Sequence, residues 1–243
     1  MTTSLLVQGL LASLLAGLAT GIGGLPVLLD RHVTHRVFDA VLSFAAGVML
    51  ALSGGSLLVE AGPVTSTSVI AATAGGLVVL VLRGASMRHA ALGARLGRGV
   101  RVALIVTLHN VVEGLAVVAT FHDLGSSVGT GVAIAIALHN IPEGLAVAEP
   151  LRRAGVRPPR CAILALASGM GEPLGALAAT VVFVNVGAAI PPGVGAAVAA
   201  GAMIVLAATE LIPEAFSHSY VAEASVGLLA GILVALVLVA VVG

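Results

Sequence analysis

Apolar runs that are each about long enough to cross a lipid bilayer fill most of this 243-residue chain. A membrane-spanning helix needs about 20 mainly apolar residues, and only 9% of the residues here are charged. The sequence therefore predicts an all-α, polytopic membrane protein with eight transmembrane helices in a single domain, residues 1–243. The predicted helices cover residues 4–29, 41–61, 67–83, 102–121, 129–150, 161–184, 193–216 and 223–243.

Small residues recur at four-residue spacing within several of these runs, as in Gly17–Gly21, Gly171–Gly175 and Gly227–Gly231. Helices in lipid approach each other closely through such residues. We interpret these motifs as packing positions and infer no specific dimer from them, although a homodimer remains open. Transmembrane β-strands would show alternating segments of about 10 residues, which the longer apolar runs exclude.

The chain has no lysine, and its arginines fall in three of the predicted connections. Because arginine-rich connections stay in the cytoplasm, both termini are predicted to be extracytoplasmic. The composition favours a bacterial source, and hence the inner membrane. We read the arginines as a topology signal and expect no nucleic-acid partner. They are Arg31, Arg36, Arg83, Arg88, Arg95, Arg98, Arg101, Arg152, Arg153, Arg157 and Arg160.

One polar motif occurs twice, as LHNVVEGLAV at 108–117 and LHNIPEGLAV at 138–147. On a helix, His109 and Glu113 share one face about one turn apart, and so do His139 and Glu143. The two helices are consecutive and cross in opposite directions, with each motif near the middle of its run. The two histidine–glutamate pairs are therefore expected to meet at similar depth.

Such carboxylates are costly in lipid, at about 2.5 to 3.5 kcal/mol for each charge. Glu172, in SGMGEPLG on the sixth predicted helix, adds a third. Imidazole and carboxylate groups form the usual ligand set for zinc and neighbouring divalent ions. Helix–helix hydrogen bonding is the alternative, but the repetition favours a cation. Asn110 and Asn140 lie about 100° around the helix from their histidines, which makes two adjacent metal positions plausible.

At these residues the sequence resembles the bacterial branch of the ZIP (zinc-regulated, iron-regulated transporter-like protein) family of divalent-metal transporters. The resemblance extends over nearly the whole chain. It is carried by FAAGVMLALS at 44–53, HNVVEG at 109–114, HNIPEGLAVA at 139–148, SGMGEPLGA at 168–176 and AGAMIVLAATELIPEA at 200–215.

The resemblance implies eight helices with external termini and a binuclear metal site between helices 4, 5 and 6. It implies one metal position formed by Met49, His109, Glu113, His139 and Glu143, and a second formed by Asn110, Glu113, Asn140, Glu143 and Glu172. Met49 is a ligand candidate only through the resemblance, because a methionine within a helix is ordinarily core filler. The family also implies an elevator-like shift of helices 1, 4, 5 and 6 against helices 2, 3, 7 and 8.

Other acidic and histidine residues are candidates for a metal pathway. Asp39 and Glu60 bracket the second predicted helix. Glu210, Glu214 and His218 follow one another at four-residue steps toward the inner end of the seventh, where they could line a cytoplasmic exit or form a solvated helix end. Glu149, near the inner end of the fifth, could meet leaving metal, but pairing with Arg152 or Arg153 is favoured.

The sequence therefore predicts import of divalent cations into the cytoplasm, with zinc favoured and iron, manganese, cadmium and cobalt as further candidates. No prosthetic group is expected. A metal-selective channel could use the same residues. An intramembrane zinc metallohydrolase is less favoured, because H-N-x-x-E-G lacks the second histidine of H-E-x-x-H. The protein is therefore not expected to be an enzyme.

Overall fold

The computed structural model describes residues 2–29, 33–58, 64–88 and 97–242, and this part of the chain is helical almost throughout, without strands. We label the helices α1 to α8. They are α1 (Thr2–Gly23), α2 (His35–Ala51), α3 (Ser66–Arg88), α4 and α5 (the two halves of Gly97–Arg153), α6 (Pro158–Gly169 and Gly171–Val186), α7 (Val194–Leu206 with Ile212–Ala215) and α8 (Val221–Val242).

α4 and α5 meet at Gly125, which has a φ of 89° and interrupts an otherwise helical stretch. This φ lies in the left-handed region, which glycine adopts without steric cost. The chain reverses there, since Glu113 and His139 contact each other across the two halves. The sequence predicted a connection at 122–128, whereas the structure keeps these residues helical apart from this single glycine.

Three helices contain interruptions that the sequence analysis did not predict. α6 was expected to be continuous, but it breaks at Met170, where Pro173 has no N–H to donate to the carbonyl of residue 169. α7 contains a π-helical turn, Ala207–Leu211, and α2 leads into another, Leu52–Leu57. Such π-turns often lie at functional sites.

The helices form two groups. The site group consists of α1, α4, α5 and α6, and the support group consists of α2, α3, α7 and α8. Within the support group, α2 packs along α8 and α3 packs along α7. Contact between the groups runs mainly from the α4–α5 pair to α2, α7 and α8. The α4–α5 pair therefore forms the boundary between the groups.

Close helix approach within the site group depends on glycine. A Cβ atom at Gly114 of α4 would overlap the carbonyl oxygen of Glu172 in α6. A Cβ atom at Gly144 of α5 would overlap the carbonyl oxygen of Thr20 in α1. The small-residue motifs predicted for packing act in the same way inside the chain, as where Gly227 of α8 meets α2.

Seven segments of the described residues are long and apolar enough to cross a membrane. The sequence predicted eight helices, and the difference arises where Val106–Arg153 counts as one segment of 48 residues. Because that segment contains the reversal at Gly125, it comprises two of the predicted helices.

Candidate metal centre

The candidate site lies between α4 and α5. His109 and Glu113 are separated by one turn of α4, and His139 and Glu143 occupy the equivalent positions on α5. All four side chains are at most 2% exposed. The predicted meeting of the two motifs is therefore present in the structure.

The two carboxylates face both imidazole rings. His139 Nε2 lies 2.7 Å from Glu113 Oε1 and 3.8 Å from Glu143 Oε1. His109 Nε2 lies 3.5 Å from Glu113 Oε1 and 3.3 Å from Glu143 Oε1. One ligand atom from each of His109, Glu113 and Glu143 lies within 4.8 Å of the other two. The carboxylates of Glu113 and Glu143 thus point into one small volume.

The distances between these ligand atoms suit a tetrahedrally coordinated cation. Zinc binds imidazole nitrogen and carboxylate oxygen at about 2.0 to 2.2 Å, which places two tetrahedral ligand atoms about 3.4 Å apart. The distances from His109 Nε2 to the two glutamates, 3.3 Å and 3.5 Å, match this spacing. The 2.7 Å between His139 and Glu113 is instead a hydrogen-bond distance and must open for both groups to bind one ion.

Two residues of the support group approach His109. Met49 Sδ of α2 lies 3.1 Å from His109 Nε2. Glu210, in the π-turn of α7, places Oε2 3.9 Å from His109 Nδ1, and its Oε1 is 3.6 Å from Arg83 Nε. The candidate site therefore lies at the boundary between the site group and the support group.

A second polar cluster adjoins the first. Asn140 Nδ2 donates to Glu172 Oε2 at 2.6 Å and also lies 2.9 Å from the carbonyl oxygen of Ala16. Glu172 is in the first turn of the second piece of α6, where the helix dipole stabilises a negative charge. The structure therefore brings Asn140 and Glu172 together.

Asn110 is held differently. Its Nδ2 donates to the carbonyl oxygen of Val106 on its own helix at 2.8 Å. Its Oδ1 accepts a hydrogen bond of 3.5 Å from Thr20 Oγ1 on α1. The Oδ1 atom is the one that would bind a metal, so Thr20 occupies the position next to that ligand atom.

Several polar atoms in the two clusters are buried without a hydrogen-bond partner in the described residues. They are Glu113 Oε2, His139 Nδ1, Asn140 Oδ1, both carboxylate oxygens of Glu143, and Glu172 Oε1. A buried acceptor without a donor costs about 1 to 3 kcal/mol, and more when it is charged. Five of these six atoms are oxygens, and a divalent cation would satisfy them.

The predicted pathway residues divide among separate places. Asp39 is fully buried within α2, because the helix begins at His35 rather than at residue 41, so it does not bracket the helix. Its Oδ1 lies 2.9 Å from His218 Nδ1. Glu149 accepts a hydrogen bond of 3.0 Å from Arg153 Nε, the pairing that the sequence analysis favoured. Glu60 lies outside the described residues.

The structure does not place Glu210, Glu214 and His218 in the single row along α7 that the sequence predicted. Glu210 points toward His109, Glu214 is exposed, and His218 lies beyond the end of α7 at Ala215. The physical reason is the π-turn at Ala207–Leu211, which changes the helical register, together with the end of the helix at Ala215, before His218.

Sequence reasoning also missed the contribution of α1. Ala16 and Thr20 contact the two asparagines through a carbonyl and a hydroxyl group. Thr20 lies among the glycines of LATGIGG, a signal for close packing that does not identify the partner helix.

Comparison of the sequence with known proteins identifies the family of this chain. Residues 86–239 match the sequence profile described as ZIP Zinc transporter. The chain is 37% identical to the zinc transporter GufA of Myxococcus xanthus over 252 residues, covering 95% of this chain and 97% of that protein. It is 36% identical to the zinc transporter ZIPB of Bordetella bronchiseptica over 231 residues, covering 88% and 74%. It is 33% identical to the zinc transporter ZupT of Corynebacterium glutamicum over 257 residues, covering 91% and 94%. The chain therefore belongs to the ZIP zinc transporter family.

Proposed function

We propose that this protein imports Zn²⁺ across a bacterial inner membrane through a binuclear site formed by the His–Glu pairs of α4 and α5 with Met49, Asn110, Asn140 and Glu172. Its relatives are named zinc transporters, so the chain is a transporter of divalent metal and not an enzyme. The alternative of an intramembrane zinc hydrolase is therefore excluded. Iron, manganese, cadmium and cobalt are further candidate substrates, since nitrogen and oxygen ligands suit most of these ions.

The observation that carries this proposal is the convergence of Glu113 and Glu143 on the same two imidazoles. Their oxygen atoms are buried, and three of the four have no hydrogen-bond donor in the described residues. Two carboxylates this close repel each other in a dry site unless a positive charge lies between them. A divalent cation supplies that charge, and the spacing around His109 fits its coordination.

We infer eight membrane crossings. A straight helix of 48 residues would be about 72 Å long, far more than a hydrocarbon core of about 30 Å, and Gly125 divides Val106–Arg153 into two lengths that fit. Arg153 at the end of α5 contacts Val33 before α2, whereas Ser127 after Gly125 contacts Val242 at the end of α8. This arrangement supports a cytoplasmic position for the arginine-containing connections and extracytoplasmic termini.

The helix grouping supports an elevator-type movement. The metal ligands other than Met49 lie on the site group, and the support group meets them mainly along α4 and α5. A shift of α1, α4, α5 and α6 against the other four helices would carry the ligands together. Transporter sites commonly lie near the membrane midplane where such groups meet.

The test is zinc uptake into proteoliposomes. The purified protein is reconstituted with a zinc-sensitive dye inside, and uptake is measured against zinc concentration, temperature and an imposed pH gradient of either sign. We expect saturable, strongly temperature-dependent uptake that Glu143→Ala abolishes. Uptake that rises linearly with concentration and depends weakly on temperature would identify a metal-selective channel instead. Full uptake by Glu143→Ala would show that the site is wrongly assigned.

Competition by the other divalent ions in the same assay ranks the substrates. A surface variant, Glu223→Gln, serves as the matched control, because this carboxylate pairs with Arg36 on α2 and lies outside the site. Zinc uptake by the control should equal that of the unmodified protein.

A further inference from the structure

Two charged residues occupy equivalent positions at opposite ends of the α4–α5 pair. Asp123 follows Glu113 by ten residues on α4, and Arg153 follows Glu143 by ten residues on α5. Ten residues of helix are about 15 Å, half of a hydrocarbon core of about 30 Å. Since the two helices run in opposite directions, the two charges lie on either side of the metal ligands.

Arg153 connects α5 to the support group. Its Nη2 donates to the carbonyl oxygen of Val33 at 2.6 Å, and its Nη1 lies 2.6 Å from His35 Nε2. Because a guanidinium group only donates, Nε2 of His35 acts as the acceptor. Nε of Arg153 donates a hydrogen bond to Oε1 of Glu149 on the same helix, and this bond holds the guanidinium group in place. His35 in turn packs against His218, with ring centroids 4.0 Å apart.

Asp123 makes the corresponding connection at the other end. Its Oδ2 accepts a hydrogen bond of 3.2 Å from the backbone N–H of Ala196, in the first turn of α7. The first N–H groups of a helix lack partners within the helix, and the N-cap residue of α7, Gly193, has no side chain to supply one. The Asp123 side chain is 1% exposed and is oriented by His122 Nδ1 at 2.7 Å. His122 stacks on Phe183 with ring centroids 4.0 Å apart.

We propose that Arg153 and Asp123 are positioning residues that fix the register of the site group against the support group, one at each end of the α4–α5 pair. This inference rests on the proposed function, because the register decides which side of the membrane the metal ligands face. Hydrogen bonds of 2.6 to 3.2 Å are lost when the partners separate beyond about 3.5 Å. A slide of the site group beyond the reach of these two side chains therefore requires both tethers to open.

The experiment measures the register directly by pulsed electron spin resonance in proteoliposomes. Spin labels are attached to cysteines at two exposed positions, Ile163 on α6 and Val221 on α8, after replacement of the native Cys161 by alanine. A second pair, Ser126 and Val64, reports from the Asp123 end. Each pair joins the site group to the support group, so a slide changes its distance.

In the unsubstituted background we expect one dominant distance for each pair. Arg153→Met and Asp123→Ala should each increase the ratio of a second distance to the first by about tenfold, the usual effect of losing a hydrogen bond to a charged group. Combining them should increase it further. Asp123→Asn keeps an acceptor oxygen and should restore the original distribution. Arg157→Met, which removes an exposed arginine from the same connection, should leave it unchanged.

His35→Ala provides a second route, because it removes an acceptor of Arg153 without altering the arginine. Unchanged distances in folded Arg153→Met, His35→Ala and Asp123→Ala proteins would overturn the proposal. Zinc uptake and its loss in Glu143→Gln are measured on the same preparations. Shifted distances without zinc uptake would refute the proposed function and leave the tethers supported. Zinc uptake with unchanged distances would refute the tethers alone.

Discussion

Replacement of Glu143 by glutamine tests the candidate site most directly. The substitution preserves the shape of the side chain and removes its charge. Oε1 of Glu143 lies 3.3 Å from His109 Nε2 and 3.8 Å from His139 Nε2, and neither carboxylate oxygen has a hydrogen-bond donor in the described part of the chain. The carboxylate is therefore available to a cation held by both imidazoles.

The size of the effect follows from these distances. Two unit charges 4 Å apart interact by about 4 kcal/mol at an effective dielectric constant of about 20. A bound dication interacts more strongly, whereas the amide oxygen of glutamine keeps part of the attraction as a neutral ligand. We expect a net loss of about 3 kcal/mol, which corresponds to Zn²⁺ binding weakened by roughly 100-fold.

The assay is a zinc titration of purified protein in detergent against a chromophoric chelator, with Glu223→Gln measured in parallel. Zinc affinity of the control should match that of the unmodified protein, because Glu223 pairs with Arg36 away from the site. If Glu143→Gln bound zinc within threefold of the unmodified protein, the reasoning from charge and geometry would be refuted.

Three further predictions concern selectivity, acid and packing. Met49→Leu should weaken binding of Cd²⁺ about tenfold more than binding of Zn²⁺, because a thioether is a soft ligand. Competitive uptake of the two ions measures the ratio of Cd²⁺ to Zn²⁺ transported, and an unchanged ratio contradicts a ligand role for Met49. Lowering the external pH from 7 to 5 should reduce zinc uptake, since ligands bind metal only when deprotonated. Initial uptake rates at a fixed zinc concentration check this, and rates that rise as the pH falls would contradict it. Gly114→Ala should destabilise the protein by about 1 to 3 kcal/mol, because the added methyl group overlaps the Glu172 carbonyl. Thermal unfolding measures this against Gly54→Ala, whose methyl group meets no atom within 4 Å, and equal melting temperatures would be the contrary result.

The sequence predicted the meeting of the two histidine–glutamate pairs because its geometry is local. The four-residue spacing of His109 and Glu113 fixes their shared face on any helix, and the repeat on the next helix places a second pair opposite. Because the turn at Gly125 is short, α4 and α5 pack side by side, and this brings the two motifs close together. Met49 was different, since only resemblance to the family pointed to it.

Other parts of the site depend on contacts between distant segments and were not predicted. Neither the approach of Thr20 to Asn110 nor that of Glu210 to His109 follows from periodicity, because each requires the packing of whole helices. The break in α6 at Met170 and the π-turn that contains Glu210 also interrupt runs that average hydropathy treats as continuous. Hydropathy reports that a segment can lie in lipid and does not report where its helix changes register.

The reversal at Gly125 restricts how this protein can release its cargo. With one non-helical residue between them, α4 and α5 have no spare chain at that end with which to separate, so we expect the two helices to move as a unit. Under the proposed elevator movement, lower metal affinity on the receiving side would then come from the loss of contacts with residues that do not move with the pair. Met49 and Glu210 belong to the support group and lie close to His109 in this arrangement, so the proposed movement would separate them from the ion and lower its affinity.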